Sequence, residues 1–195
     1  LGRRADMQEK ALLKKLMGRL PRARTLLEVG CGTGHFTRWF AEQGVEATGL
    51  DASPPMLAEA RHLGRQPYLE GNALALPFAD GAFDLVAFVT SLEFVGDSAS
   101  ALAEAVRVAR QGIILGVLNR HSLLGREYKR SGIALWQVAH FFTPRELRNL
   151  IQQAAGRRLR QVEMRTTLWS LLPGDLPLPW GGFIGVAVKL GGSEA

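Results

Sequence analysis

Three glycines at alternate positions follow an apolar segment, and this pattern has the clearest chemical meaning in the chain. Residues 25–36 read T-L-L-E-V-G-C-G-T-G-H-F, with glycines at Gly30, Gly32 and Gly34. Glycine allows backbone conformations closed to other residues and lets a ligand approach closely. A helix that follows directly would present unpaired N–H groups to the same ligand. The pattern therefore predicts a strand, a turn and a helix that form a nucleotide-type cradle.

The spacing of these glycines separates two kinds of cradle. The dinucleotide fingerprint G-x-G-x-x-G needs a glycine where this chain has His35. That glycine permits close packing beneath a pyrophosphate. Glu28 would repel a pyrophosphate but could help to hold a cationic amino group, directly or through water. Both observations favour a ligand without a pyrophosphate bridge.

An acidic residue at the end of the next apolar segment suits a ribose. Asp51 lies about 20 residues after the glycine turn. A carboxylate there can accept hydrogen bonds from both hydroxyl groups of an adenosine ribose. Alternatively, Asp51 could cap the helix that begins near Pro54, although Ser53 fits that role better.

Together these segments resemble the class I S-adenosylmethionine-dependent methyltransferases. The resemblance rests on L-L-E-V-G-C-G-T-G-H-F-T, on T-G-L-D-A-S, and on G-N-A-L-A-L-P-F-A-D-G-A-F-D-L-V from Gly71, which is similar to a signature of the ubiquinone and menaquinone biosynthesis enzymes. It implies S-adenosylmethionine as cofactor and S-adenosylhomocysteine as product. The cofactor-binding residues that it implies are Glu28, Gly30, Cys31, Gly32, Asp51, Ala52, Met56, Asn72, Ala73, Leu74 and Thr90.

The resemblance also assigns roles within that set. Met56 and Leu74 would sandwich the adenine, and the Thr90 carbonyl would receive the methionine amino group. Asn72 replaces the family's usual aspartate, so its bond to the adenine amine would lack charge assistance. Met56 could instead belong to the core, and Thr90 could merely end a strand. The segment 109–112, A-R-Q-G, replaces the family's L-K-P-G-G and predicts a shortened turn before the fifth strand.

The order of elements predicts an α/β fold, a Rossmann-like seven-stranded methyltransferase sheet with helices on both faces. Strands and helices alternate after an amphipathic helix at 6–20, which indicates a mostly parallel sheet. Further strands are predicted at 83–90 and 113–118, separated by a helix at 98–109. The last helix begins at Thr143 with a capping box to Glu146. Strands at 159–168 and 183–190 follow without a helix between them and should pair antiparallel.

Composition indicates one domain over residues 1–195. The chain has 195 residues, 47% of them hydrophobic, and a single cysteine, Cys31, which excludes an intrachain disulfide and a cysteine-based metal cluster. No apolar run is long enough for a membrane span and no signal peptide is evident, so we expect a cytoplasmic protein. Leu1 in place of an initiator methionine suggests that further residues precede it.

The acceptor half of the site has no diagnostic motif. Methyl transfer needs mainly alignment and exclusion of water, and a general base is optional. The base candidates are Glu93 and His121, with Tyr128 and His140 behind them, and each could equally be structural. Acceptor selection is expected from residues 119–142 and 173–182 together with the N-terminal helix at 1–22, which could act as a lid.

Three functions remain open at this level. A small-molecule methyltransferase fits best. The formal charge of +6 keeps an RNA methyltransferase as an alternative, which would need one continuous basic surface at the cofactor mouth. A non-catalytic S-adenosylmethionine-binding protein is the third, and it would leave no room for an acceptor.

Overall fold

The chain forms one seven-stranded sheet. In the computed structural model, which describes residues 2–168, 175 and 179–192, the strand order is β3-β2-β1-β4-β5-β7-β6. Strand β7 is antiparallel to both β5 and β6, and the other pairs are parallel. The strands are β1 Thr25–Val29, β2 Glu46–Asp51, β3 Tyr68–Glu70, β4 Phe83–Val89, β5 Ala109–Leu118, β6 Leu159–Thr167 and β7 Phe183–Leu190. This confirms the mostly parallel sheet and its antiparallel pair β6–β7.

Seven α-helices in the described part of the chain surround the sheet. They are α1 Gly2–Met17, α2 His35–Glu42, α3 Pro54–Leu63, α4 Ser98–Val108, α5 Leu123–Arg130, α6 Ala134–Val138 and α7 Pro144–Ala155. Short 3₁₀ helices are formed by Leu92–Phe94 and Gly156–Arg158. No described helix has the length and apolar character that a membrane span requires.

Two hydrophobic layers fix the helices to opposite faces of the sheet. One layer joins α4 and α7 to β4, β5 and β7, and the other joins α1 and α2 to the same central strands. The central strands are apolar along almost their whole length because both faces are covered. Helices on both faces were predicted, and the structure confirms them.

Helix α1 packs through a single apolar stripe. Leu12, Leu13 and Leu16 are buried, and a Cβ on Gly185 of β7 would lie 2.7 Å from Leu16. The absence of a side chain at Gly185 therefore lets α1 lie directly on the sheet. The helix begins at Gly2 rather than at residue 6.

The junction between α4 and β5 differs from the predicted turn. Strand β5 begins at Ala109, immediately after the helix, so 109–112 belong to the strand. The side chain of Arg158 donates to the carbonyl groups of Val106 (2.5 Å) and Ala109 (2.8 Å). Arg110 Nη1 in turn donates to Asp84 Oδ1 of β4 (2.7 Å). These long-range bonds hold the start of β5 in place, so no turn separates α4 from β5.

Residues 119–142 form two short helices, α5 and α6, before α7. The predicted capping box at the start of α7 is present, with Thr143 accepting from the Glu146 N–H and Glu146 accepting from the Thr143 N–H. Of the predicted segment 173–182, the structure describes residues 175 and 179–182, and the rest lies outside the described residues.

The glycine turn joins β1 to α2 in a left-handed conformation. Gly30, Gly32 and Gly34 have φ of 72°, 53° and 73°. The Gly30 N–H donates to the Leu50 carbonyl (2.7 Å), and Ser91 Oγ donates to the Val29 carbonyl (2.7 Å). The turn is thus tied to β2 on one side and to the end of β4 on the other.

Replacing Gly30 by alanine is expected to destabilise the protein more than replacing Gly44. Both glycines have left-handed φ, at 72° and 87°, so alanine costs about 1–2 kcal/mol at either position. A Cβ on Gly30 would also lie 2.5 Å from Ser91 Cβ, whereas nothing lies within 4 Å at Gly44. Urea unfolding should show Gly30→Ala losing about 1–3 kcal/mol more than Gly44→Ala. Equal losses would contradict this packing role.

Candidate functional site

The site lies at the carboxyl ends of the parallel strands, where the strand order reverses between β1 and β4. Ligands in open α/β sheets bind at such a point. The glycine turn follows β1, Asp51 ends β2, Asn72 follows β3, and Thr90 follows β4. The structure therefore brings the residues of the predicted cofactor site to one edge of the sheet.

The three glycines of the turn differ in what surrounds them. A Cβ on Gly30 would meet Ser91, and a Cβ on Gly34 would meet the hydroxyl group of Tyr68. At Gly32 nothing lies within 4 Å. Packing inside the protein thus explains why residues 30 and 34 are glycines. The backbone at Gly32, in contrast, is open to a ligand.

Asp51 connects the glycine turn to the start of α3. Its Oδ2 accepts from the Gly32 N–H (2.7 Å), and its Oδ1 accepts from the Ser53 N–H (2.8 Å). Ser53 stands at the N-cap position of α3 without a side-chain cap bond, and Asp51 holds the backbone of this N-cap residue rather than an N–H of the first turn. A carboxylate offers about four acceptor positions, so it can still accept from a ligand.

Glu28 lies beneath the turn rather than on its surface. The side chain is 2% exposed and accepts a short hydrogen bond from the Thr37 hydroxyl of α2. Burial, with a further contribution from the negative charge of Asp51, raises the pKa of Glu28 to about 8. The carboxyl group therefore holds a proton near neutral pH.

Cys31 is a packing residue of the turn. Its side chain is buried against Leu57, Ala60 and Tyr68. Burial and the nearby carboxylates of Glu28 and Asp51 raise the pKa of the Cys31 thiol to about 12. The thiolate required of a nucleophile is therefore scarce, and the Cys31 backbone remains the predicted contact.

The predicted adenine-binding residues are accessible. Met56 is 47% exposed and Leu74 is 39% exposed, so neither is a core residue. Ala52 and Asn72 are exposed as well, and Ala73 is half-buried. The Oδ1 of Asn72 already accepts from the Leu74 N–H (2.9 Å), which shapes the loop after β3.

Thr90 has an unusual backbone for a β-branched residue. Its φ is 50°, in the left-handed region, and its N–H donates to the Gly116 carbonyl of β5 (2.7 Å). Such a conformation costs about 1–3 kcal/mol and is often found at functional sites. The left-handed backbone of Thr90 therefore differs from that of a residue that simply ends a strand.

The two base candidates have different environments. Glu93 is 1% exposed, and its Oε1 accepts from the Leu118 N–H at the end of β5 (2.6 Å). Its Oε2 is buried without a hydrogen-bond partner among the described residues. Burial raises the pKa of Glu93 to about 8. His121 follows β5 but is exposed, and its backbone N–H donates to Asn119 Oδ1 (3.1 Å).

The remaining base candidates are engaged elsewhere. His140 Nε2 lies 2.6 Å from Glu146 Oε1 and 3.1 Å from Arg120 Nη2, in an exposed ion-pair network. The ring of Tyr128 stacks on Trp136, with centroids 4.7 Å apart and planes 4° from parallel. Both residues therefore have structural partners.

Glu9 is a residue of this region that sequence analysis missed. Its negative charge raises the pKa of both Glu93 and Tyr128, although burial is the larger cause in each case. Burial and the charge of Asp6 raise the pKa of Glu9 itself to about 7. A signal was available, because Glu9 occupies the same helical stripe as Leu12, Leu13 and Leu16.

Comparison with known proteins agrees with this geometry. A family model described as "Methyltransferase domain" matches residues 27–116. A solved structure of an S-adenosylmethionine-dependent methyltransferase from Thermotoga maritima, described as a possible histamine N-methyltransferase, is 31% identical. It superposes with a TM-score of 0.79, covering 96% of this chain and 89% of that one. The chain belongs to the S-adenosylmethionine-dependent methyltransferase family.

Curated relatives of this chain match over shorter regions. The malonyl-[acyl-carrier protein] O-methyltransferase of Serratia marcescens is 37% identical over 114 residues, 58% of this chain and 44% of that protein. The demethylmenaquinone methyltransferase of Thermus thermophilus is 40% identical over 100 residues, 48% of this chain and 46% of that protein. The chain thus spans less than half the length of these two curated relatives.

The stability of this protein should depend on pH through the buried Glu28. The unfolded chain ionises this carboxyl group above its ordinary pKa of 4.5, whereas the folded pKa is about 8. Between these values the unfolded state binds fewer protons, so this group lowers the stability as pH rises. We expect Glu28→Gln to gain stability relative to the wild type by about 1 kcal/mol per pH unit between pH 5 and 8.

Urea unfolding at several pH values measures this difference. Glu46→Gln is the matched control, because Glu46 is exposed at the start of the neighbouring strand β2. A pH-independent difference between Glu28→Gln and the wild type would contradict a proton held on Glu28.

Proposed function

We propose that this chain transfers a methyl group from S-adenosylmethionine to a small-molecule acceptor. The observation that carries the proposal is the Asp51 carboxylate, which ties the glycine turn to α3 beside the open backbone of Gly32. This arrangement fits a nucleoside whose ribose lies at Asp51. The exposed side chains of Met56 and Leu74 fit an adenine that still needs an apolar cover.

Different residues of the site would hold different parts of this cofactor. Asp51 would accept hydrogen bonds from the ribose diol, and Met56 and Leu74 would pack on the adenine. Gly32 and the Thr90 carbonyl would contact the methionine part. When bound, S-adenosylmethionine supplies an electrophilic methyl group on its sulfonium.

The protein's contribution to transfer is positioning. The acceptor would enter between the end of β4, the segment 119–142 and the N-terminal half of α1. Glu93 and His121 remain the proposed base candidates, and the buried Glu93 is the better placed of the two. Helix α1 is supported as a cover for the cofactor side, because Asp6 Oδ1 lies 2.6 Å from His35 Nε2 at the start of α2.

Charge distribution favours a small molecule over RNA as acceptor. The acceptor side carries the acidic side chains of Glu9 and Glu93, which cannot supply the cationic contacts that a phosphate backbone needs. Seven of the 24 lysines and arginines form ion pairs with carboxylates in the described part of the chain. Those with ion pairs include Lys10, Lys15, Arg19, Arg107, Arg110, Arg120 and Arg165. The cytoplasm stays our proposed location.

Calorimetric titration with S-adenosylmethionine and with NAD tests the cofactor. We expect S-adenosylmethionine to bind and NAD to bind at least about tenfold more weakly, because the turn lacks the pyrophosphate-binding glycine. Binding of NAD without binding of S-adenosylmethionine would overturn the proposal. Release of S-adenosylhomocysteine over a metabolite panel then separates an enzyme from a protein that only binds the cofactor.

Replacing Asp51 by asparagine should weaken cofactor binding. The variant keeps the size of the side chain but loses the charge and one acceptor oxygen, so we expect a loss of about 1–3 kcal/mol. Glu46→Gln at the opposite end of β2 is the control and should bind normally. Unfolding curves must accompany the titration because Asp51 also accepts from Gly32 and Ser53. Unchanged affinity in folded Asp51→Asn would remove this residue from the site.

A further inference from the structure

We propose that the acceptor of this enzyme is a small aromatic amine, which binds as an ammonium ion at the carboxyl groups of Glu93 and Glu9 with its ring against Trp136 and Phe94. The ammonium group favours the ionised form of Glu93, which would then take one proton from it. The freed nitrogen lone pair would attack the methyl carbon as the bond to the sulfonium sulfur breaks, which gives the N-methylated amine and S-adenosylhomocysteine. This inference rests on the proposed methyltransferase function and adds the chemical class of the acceptor to it.

The unpartnered oxygen of Glu93 is the first observation. Glu93 lies in the 3₁₀ helix after β4, at the same edge of the sheet as the glycine turn. Its Oε1 is fixed by the Leu118 N–H, and its backbone carbonyl accepts from the His140 N–H (2.7 Å). Its Oε2 is buried and has no donor among the described residues. Buried polar atoms are rarely left in this state, and an ammonium group offers three donors.

Glu9 supplies a second carboxyl group to the same region. Glu9 lies three residues after Asp6, whose Oδ1 is 2.6 Å from His35 Nε2 at the start of α2, and its charge acts on both Glu93 and Tyr128. The neighbouring cation Lys10 is already engaged, since its Nζ donates to Asp6 Oδ2 (3.0 Å) and lies 5.8 Å from the centroid of the Phe36 ring. A cation brought by a ligand would therefore meet two acidic groups here.

An aromatic cluster lies beside these carboxyl groups. Phe94 follows Glu93 directly, and its ring centroid is 6.3 Å from that of Trp136. Trp136 also stacks on Tyr128 and meets the edge of Phe141 at 6.1 Å. Lys129 Nζ lies 5.0 Å from the centroid of Phe141, so this cluster already holds one ammonium group. Aromatic faces attract cations and bury flat rings, and the cluster suits both parts of an aromatic amine.

The charge and shape of the ligand can be tested separately by calorimetry. The protein, saturated with S-adenosylhomocysteine, is titrated at neutral pH with 2-phenylethylamine, with its neutral counterpart 2-phenylethanol and with the anion phenylacetate. We expect the amine to bind at least about tenfold more tightly than the alcohol, because only the amine forms charge-assisted bonds. Phenylacetate should bind most weakly.

Four variants locate this preference within the protein. Glu93→Gln and Glu9→Gln should each reduce the preference for the amine over the alcohol to about threefold or less, because each removes a carboxyl group that can ionise beside the ammonium group. Glu127→Gln on exposed α5 is the matched control and should keep the preference. Trp136→Leu should weaken the amine and the alcohol alike, since it removes the surface against which both rings pack.

The outcomes separate this inference from the function on which it rests. Absence of amine binding, equal binding of amine and alcohol, or an unchanged preference in both glutamate variants would overturn the amine inference. S-adenosylhomocysteine would still bind in each of these cases, and the methyltransferase proposal would stand. Failure of S-adenosylhomocysteine to bind would overturn both.

Discussion

The carboxylate of Asp51 joins two pieces of backbone on which the rest of the cofactor site depends. Its two oxygens accept from the Gly32 N–H and from the Ser53 N–H, so the glycine turn and the start of α3 are held by one charged group. Charge-assisted bonds of this kind are stronger than neutral ones. Because three glycines of the turn are in left-handed conformations, the turn needs such a constraint to keep one shape. The same carboxylate is the proposed contact of the ribose, so one group would both shape the site and hold its ligand.

The sheet explains why cofactor and acceptor residues meet at one edge. Parallel strands deliver Asp51, Asn72 and Thr90 to their carboxyl ends, and the reversal of strand order beside β1 opens the space above the glycine turn. The antiparallel strand β7 lies between β5 and β6, and its Gly185 lets α1 approach the sheet closely. The same helix brings Asp6 to His35 at the start of α2, and the charge of Glu9, three residues later, acts on Glu93.

Local patterns predicted the turn and the strand ends that carry the proposed cofactor site, and long-range contacts explain what these patterns could not predict. The glycine turn, Asp51 and the capping box at Thr143 depend on neighbours in the sequence, and the structure shows each of these features. The early start of β5 depends on Arg158 and Asp84, which are distant in sequence, so A-R-Q-G was wrongly expected to form a turn. The position of Glu93 depends on the N–H groups of Leu118 and His140, which no local spacing encodes. Glu9 was missed because the first helix was predicted only as amphipathic, without naming the residues of its buried stripe.

The central claim is that Asp51 recognises a ribose diol at the glycine turn. The most direct test is the ratio of the dissociation constants of S-adenosylhomocysteine and of its 2′-deoxy counterpart, measured for the wild type and for Asp51→Asn. Since one lost hydrogen bond to a charged group is worth about 1.5–3 kcal/mol, the wild type should prefer the ribose form by about tenfold or more. The variant should lose most of that preference. An equal preference in both proteins would contradict the account.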